Sequence, residues 1–242
     1  MPSVLDRLFT LLIGSFLHRM ERLTKKEKKA LEAYMRDLRC PPRKTEQPLV
    51  VCMVGLVGSG KTLVAKALAS RLGATVVNGD QIRMCLRAEG LKFERARLLG
   101  EIAMHTALEQ GSNVVLDSDH IDPAKRASVQ ARAEKMGVRL VFIRVVCDPD
   151  VTIGNIMKGD YNSGDGPFFR DAPSTWSDPS NRGAVVKMRE MVRRIPHHYS
   201  WTGSGGGTLA LREVPFTLFA TIDSNDPHRD EHIREIAQRL CD

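Results

Sequence analysis

From Leu5 onward the apolar residues Leu5, Leu8, Phe9, Leu12, Ile13, Phe16, Leu17 and Met20 recur at the i, i+3, i+4, i+7 spacing that lines one face of a helix. Thr24-Lys25-Lys26-Glu27 has the capping-box pattern, in which hydroxyl and carboxylate each satisfy a backbone N–H at a helix start. Leu31, Tyr34, Met35 and Leu38 then draw a second stripe that stops before Pro41-Pro42. Residues 1–46 therefore predict an amphipathic helical hairpin and linker. Its apolar face is expected to pack on the rest of the chain. Self-association or a partner contact through residues 4–38 stays open, as does a membrane surface met beside Lys25, Lys26, Lys28 and Lys29.

Beyond Pro48 the pattern changes to alternation: strands at 49–54, 74–78, 113–117 and 139–146, helices at 61–72, 80–88, 93–110 and 123–136. Strands interleaved with helices imply a mainly parallel sheet covered on both faces, an α/β/α sandwich of three layers. Residues 158–182 break the rhythm with Gly159, Gly164, Gly166, Pro167, Pro173 and Pro179, which reads as a lid or a disordered loop, and a helix is expected over 184–194. The Gly203–Gly207 tract predicts a flexible turn, Phe216–Ile222 a last strand and 227–240 a closing helix. Residues 47–242 are thus expected to form one domain with a lid insertion at about 158–195.

Composition narrows the partners. The 242 residues, 42% hydrophobic and 27% charged, exclude a disordered or fibrous chain. A net charge of +7 favours polyanions, whether nucleic acid, anionic lipid or phosphorylated small molecules. The five cysteines form no CxxC pair, and Cys52 and Cys147 sit in apolar runs, so a reducing, cytoplasmic setting is expected. No apolar run approaches a membrane span, and Asp6 and Arg7 precede the N-terminal apolar stretch without a cleavage site after it, so a soluble protein is expected.

The chemistry gathers at Gly55-Leu56-Val57-Gly58-Ser59-Gly60-Lys61-Thr62, between a predicted strand and a predicted helix. Backbone N–H groups converging at a helix start bind phosphate, and Gly55, Gly58 and Gly60 let the chain wrap closely around it. Ser59 belongs to the same loop, Lys61 would reach the terminal phosphates and Thr62 offers a hydroxyl to Mg²⁺. Val114-Val115-Leu116-Asp117 is a buried strand ending where such a fold places the acid that holds Mg²⁺ or its water, although Asp117 and Asp119 could also be solvated in a strand-end turn. Asp80 and Arg83 follow the second strand on the same sheet edge. There Asp80 can take a proton from an attacking hydroxyl and Arg83 can grip a substrate phosphate, or Asp80 simply caps its helix.

Three segments together resemble the P-loop kinases grouped around the phage polynucleotide kinase 5′-kinase domain, also called zeta-toxin-like predicted kinases, with an AAA-type ATP-binding domain. They are Gly55–Thr62, Asn78-x-Asp80-x-x-Arg83, and Val114–His120 followed by Asp122-Pro123-x-Lys125-Arg126, within residues 48–157. The resemblance implies ATP and Mg²⁺ as cofactors, Asp80 as general base toward an acceptor hydroxyl, Arg83 as binder of the acceptor's neighbouring phosphate, and Asp117 in the Walker-B-like position. The acceptor implied is a small molecule or a nucleic-acid 5′ end.

Two departures stand out. Asp117-Ser118-Asp119-His120 replaces the usual Asp-x-Thr-Asn ending, and His120 reads as structural or solvent-facing. The stretch 151–158 also lacks the arginine relatives carry there, so a lid cation must come from elsewhere, with Lys158, Arg170, Arg182, Arg189 and Arg193 as candidates. Arg189, Arg193, Arg194, His197 and His198 form a basic cluster that could follow a nucleic-acid backbone, with only Trp176, Tyr199, Trp201 and Tyr161 nearby for stacking. No zinc or Ser-His-Asp signature is present, which confines expected metal chemistry to nucleotide-bound Mg²⁺. The leading expectation is a phosphotransferase. The alternative is an NTPase that hydrolyses or merely binds nucleotide to switch a partner.

Overall fold

A computed structural model describes residues 23–164, 166–203 and 206–242. The first predicted helix, at residues 4–23, lies almost wholly outside these. In chain order the elements are α1 (Lys25–Arg36), β1 (Leu49–Val54), α2 (Lys61–Leu72), β2 (Ala74–Asn78), α3 (Gly79–Ala88), a 3-10 turn (Phe93–Arg95) and α4 (Ala96–Glu109). Then come β3 (Asn113–Asp117), α5 (Pro123–Met136), β4 (Arg139–Val146), α6 (Pro149–Lys158), α7 (Gly166–Arg170), α8 (Arg182–His198), β5 (Tyr199–Thr202), β6 (Thr208–Leu211), β7 (Ala220–Asp223) and α9 (Arg229–Cys241).

β1 is apolar and buried at all six positions because helices cover both its faces. It is the middle strand of a five-stranded sheet of order β2-β3-β1-β4-β7, every pair parallel. The two-residue period of the strands sorts their side chains. Val50, Cys52, Val54, Val114, Leu116 and Phe142 join the core under α1, α3 and α4. Leu49, Val51, Met53, Val115, Ile143 and Ile222 join the core under α2 and α9. Each fully buried leucine or isoleucine in these cores contributes roughly 1.5–3 kcal/mol.

α1 starts at the predicted capping box: the Glu27 N–H donates to Thr24 Oγ1 at 3.2 Å, and the Thr24 N–H donates to Glu27 Oε2 at 2.7 Å. Ala30, Leu31 and Tyr34 are buried in the core with Leu86 and Leu99, so this stripe packs on the domain. Arg95 Nε donates to the other Glu27 oxygen at 2.8 Å, tying α1 to the turn before α4.

The region after β4 departs most from expectation. Residues 158–182 hold α7, and Leu56, Ile156, Tyr161, Phe169, Ala184 and Met191 close a third, smaller core against the glycine loop. Gly183 has to be glycine there, since a Cβ would lie 2.3 Å from the Tyr161 ring. The helix expected over 184–194 runs from Arg182 to His198, and an antiparallel β5–β6 pair that pattern alone did not show flanks the glycine tract, of which Ser204 and Gly205 lie outside the described residues. Four-residue strands, mostly exposed, carry too few positions to draw a period. The strand expected at Phe216–Ile222 begins only at Ala220, because Phe216 packs edge-on against Phe142 and under the Arg126 guanidinium instead.

Candidate active site

The C-terminal edge of a parallel sheet is where its loops gather, and β1, β2 and β3 deliver their loops there together. After β1 the chain turns through Gly55–Gly60 into α2, which has no side-chain cap, the arrangement that favours an anion. A Cβ on Gly55 would lie 2.4 Å from the Val145 carbonyl, and one on Gly58 2.8 Å from Thr152 Cγ2. The buried Ser59 hydroxyl has no hydrogen-bond partner among the described residues. Lys61 folds back so that its Nζ donates to the Leu56 carbonyl at 2.8 Å. Burial pushes its pKa down, and the carboxylates of Asp119, Asp117 and Asp80 push back.

Asn78 organises the next loop. Its Nδ2 donates to Asp117 Oδ2 at 2.8 Å, and its Oδ1 accepts the N–H groups of Asp80 and Gln81 at 2.8 and 2.9 Å. Asn78 is therefore the N-cap of α3, which corrects the reading of Asp80 as the cap. Asp80 instead pairs with Arg83 at 2.7 Å, one turn along the helix. The Asn78 N–H donates to Tyr34 Oη at 3.1 Å, so α1 reaches this network directly.

Asp117 and Asp119 are both buried, which corrects the reading of them as solvated turn residues. Asp119 Oδ1 accepts from the N–H groups of Gly55 and Ile121 at 3.3 and 3.2 Å. Its Oδ2 accepts from Arg194 Nη1 and from His198 Nε2, both at 3.1 Å. Burial works against its charge, yet the His198 hydrogen bond and the charges of His198, Lys61 and Arg194 hold its carboxyl well below the usual aspartate range.

The cation that reaches the glycine loop's edge through Asp119 is Arg194, which is not among the expected lid candidates. Of the expected candidates, Arg170 pairs with Asp171, Arg193 with Glu190, and Arg189 donates to the Pro173 carbonyl, while Lys158 is exposed and Arg182 is the half-buried first residue of α8. Arg194 and His198 lie four residues apart and so share one face of α8, which also carries the fully buried Met191. That spacing was the available signal. With these two turned inward, the basic cluster expected to follow nucleic acid is reduced to Arg189, Arg193 and His197 on the surface, and of the stacking candidates Tyr161 and Tyr199 are buried.

His120 is structural, and buried rather than solvent-facing. Its Nδ1 lies 3.0 Å from the Met53 carbonyl and 2.8 Å from that of Ser118, so this nitrogen carries the proton. Burial and the Lys125 charge hold its pKa down at about 4, which leaves the ring neutral. Lys125 Nζ donates to Ser118 Oγ at 2.8 Å and to the Asp119 carbonyl at 2.9 Å. Burial and the neighbouring Arg83 push its pKa down to about 8.

Beside these residues α3, α4 and α5 enclose a cavity of about 250 Å³. Arg83, Arg97, Lys125 and Arg132 line it with Glu94 and Glu101, against walls that include Ile82 and Leu116. Among the described residues no cluster of three histidine, cysteine or acidic side chains could hold a metal ion by itself. No described helix is long and apolar enough to cross a membrane.

The family described as "AAA domain" matches residues 50–165, which hold the glycine loop, Asp80, Arg83, Asp117 and Lys125. A probable adenylyl-sulfate kinase of Aeropyrum pernix is 29% identical over 169 residues, 64% of this chain and 91% of that protein. The human 6-phosphofructo-2-kinase/fructose-2,6-bisphosphatase 3 is 28% identical over 157 residues, 56% of this chain, which spans only 30% of that protein's length. The crystal structure of APE1195 superposes with a TM-score of 0.52 at 21% identity, over 81% of this chain and 98% of that one. The chain thus has the fold of an α/β/α sandwich with a parallel sheet, and its residues 50–165 are similar to the AAA domain family.

Proposed function

We propose that this chain is an ATP- and Mg²⁺-dependent phosphotransferase that moves a γ-phosphoryl group to the hydroxyl of a small molecule. One observation carries the proposal: Asp80 stands between the two halves of the site, its charge felt at Lys61 on the loop side and its carboxylate bound to Arg83 on the cavity side. A general base for transfer belongs between donor and acceptor.

The uncapped start of α2 and the partnerless Ser59 hydroxyl suit phosphate oxygens. Thr62 and Asp117 offer hard oxygen donors for Mg²⁺, a set that suits an ion otherwise held by phosphates and water, where it would neutralise charge on the transferred group. Asp80 takes the proton of the acceptor hydroxyl as that oxygen bonds to the γ-phosphorus. The bond from phosphorus to the bridging oxygen breaks, and ADP leaves with that electron pair. Lys61, released from the Leu56 carbonyl, and Arg194, held at the loop's edge by Asp119, supply positive charge where negative charge spreads in the transition state.

The motif resemblance to polynucleotide-kinase-like and zeta-toxin-like kinases supports the role of Asp80. The similarity to proteins named adenylyl-sulfate kinase and 6-phosphofructo-2-kinase supports a small-molecule acceptor. A cytoplasmic setting fits five free cysteines and a nucleotide substrate. The test incubates the protein with γ-labelled ATP and a panel of nucleoside, sugar, amino-sugar and oligonucleotide acceptors. Label is expected in one acceptor class, and release only as inorganic phosphate, unchanged by any acceptor, overturns the proposal.

A further inference from the structure

We infer that Asp119 is an internal latch for α8: its carboxylate holds Arg194 while the glycine loop is empty and yields it to the phosphates of a nucleotide through a bend at Pro196, while His198 keeps the carboxylate in place. This rests on the phosphotransferase reading and adds the means by which its lid cation is delivered.

Asp119 belongs to the ending that departs from the usual Asp-x-Thr-Asn, and a buried carboxylate is tolerated only when its lone pairs are used. A carboxylate offers about four such sites. Among the described residues they are met by the N–H groups of Gly55 and Ile121 on Oδ1 and by Arg194 and His198 on Oδ2. One donor can therefore leave without orphaning the charge.

The two donors from α8 are not equivalent. The His198 side chain is 1% exposed and that of Arg194 28%. The end of the helix that carries His198 is pinned from behind. The His198 carbonyl accepts from Arg144 Nη2 at 3.3 Å, the Pro196 carbonyl from Arg212 Nη1 at 2.6 Å, and Tyr199 Oη donates to the Cys147 carbonyl at 2.8 Å. Pro196 stands inside the helix between the two donors. It has no N–H for the Val192 carbonyl and its ring crowds that turn, so the helix is weakest where Arg194 sits. α8 thus divides into a fixed end from Pro196 onward and a segment ahead of it that is free to tilt.

Charge gives the exchange its direction. Arg194 stands near enough to Lys61 for the two cations to oppose each other, while both attract Asp119. A nucleotide's polyphosphate on the loop brings several negative charges beside Lys61, against the single charge of Asp119. Arg194 then passes from one anion to the other, and Asp119, still held by His198, keeps its bond to the Gly55 N–H. The tilting segment also carries Met191, which shares the third core with Leu56, so the movement is felt in the loop itself.

The experiment has two arms on the full chain. In the first, hydrogen–deuterium exchange is followed without ligand and with Mg²⁺ and a non-hydrolysable ATP analogue. In wild type the analogue is expected to change exchange over residues 190–195 but not over 198–202. Without ligand, Asp119→Asn and His198→Leu should speed exchange over 182–195 about tenfold, and the analogue should restore protection in Asp119→Asn. Wild-type exchange in both variants, or no response of α8 to the analogue in wild type, overturns the latch.

Pro196→Ala keeps the inference falsifiable if the buried variants fail to fold. It returns an N–H to the helix, so Tm should hold or rise, yet the response of 190–195 to the analogue should shrink. A full response, or a fall in Tm, overturns the bend.

In the second arm, transfer from labelled ATP is measured with an acceptor found in the panel. Pro196→Ala is expected to lower kcat about fivefold or more with little change in KM for ATP. Asp119→Asn combined with Arg194→Ala should be no slower than Arg194→Ala alone, because the carboxylate acts through that arginine. Losses that multiply overturn the latch. Label found only in inorganic phosphate overturns the phosphotransferase reading and leaves the latch to the exchange arm, which needs no acceptor.

Discussion

The glycine loop and the cavity between α3, α4 and α5 meet at one edge of the same sheet but are built in opposite ways. The loop is eight consecutive residues, Gly55–Thr62, and what it offers is backbone and one uncapped helix start, the groups that suit phosphate. The cavity draws Arg83 from α3, Arg97 from α4, Ser118 from the end of β3 and Lys125 from α5, residues separated by up to 42 positions and brought together by strand order alone. A backbone site constrains the side chains around it only through close approach, as at Gly55 and Gly58. A side-chain site depends on every element that carries one of its groups.

That contrast can be broken first at its seam. Asp80→Asn is expected to lower kcat by roughly 10²–10⁴-fold while nucleotide affinity persists, because a general base is lost and the α3 cap at Asn78 is kept. Normal transfer by this variant, measured with labelled ATP, would show that the assigned base is wrong. Lys61→Ala tests the loop side: a fall of about 10²–10³-fold in kcat/KM is expected, with weaker nucleotide binding by titration. Arg194→Ala tests the lid, with an expected loss of about 10²-fold in kcat and a smaller change in nucleotide affinity. If instead kcat holds and only Tm falls, Arg194 serves Asp119 structurally.

The smaller effects sharpen the comparison on the acceptor side. Tyr34→Phe leaves the buried Asn78 N–H without its phenolic acceptor, so denaturant unfolding should show a loss of about 1–3 kcal/mol. Lys125 carries its charge only below about pH 8, so KM for an anionic acceptor should rise a few-fold as pH passes upward through that value. Facing it are Arg83 and Arg194, which favour proton loss, and Asp119 and Asp122, which oppose it. The same group affects folding with the opposite sign. Its folded pKa lies below the ordinary 10.5, so its charge opposes folding below pH 8, and that opposition is relieved between the two values. A KM flat across pH 7–9 would remove Lys125 from anion binding.

Most of the sheet was legible because each buried parallel strand is a short apolar run between helix signals, and the observed bounds of β1, β2, β3 and β4 are those expected. The capping box of α1 was legible for the same local reason. The glycine loop, Asp80, Arg83 and Asp117 were all picked out along the chain, and the fold sets them at one edge. The hairpin β5–β6 was not legible, since its strands are too short for a period and its glycine tract reads equally well as a loose turn. Arg194 was hidden for another reason: among Arg189, Arg193 and Arg194, adjacent cations on a helix diverge by about 100°, and only the packing of α8 decides which one turns inward.

What the sequence determined by itself is therefore the local part: the alternating strands and helices, the capped start of α1, and a phosphate loop whose chemistry lies in contiguous backbone. The tertiary structure alone decided that Asn78 rather than Asp80 caps α3 and that Asp119 joins the loop to Arg194 and His198. It also brought Arg83 and Ser118 against Gly79, with Lys125 donating to that serine. The physical reason is range. Backbone geometry and burial period are set within a few residues, whereas the partner of a charge is set by which distant side chain the fold places within hydrogen-bond reach.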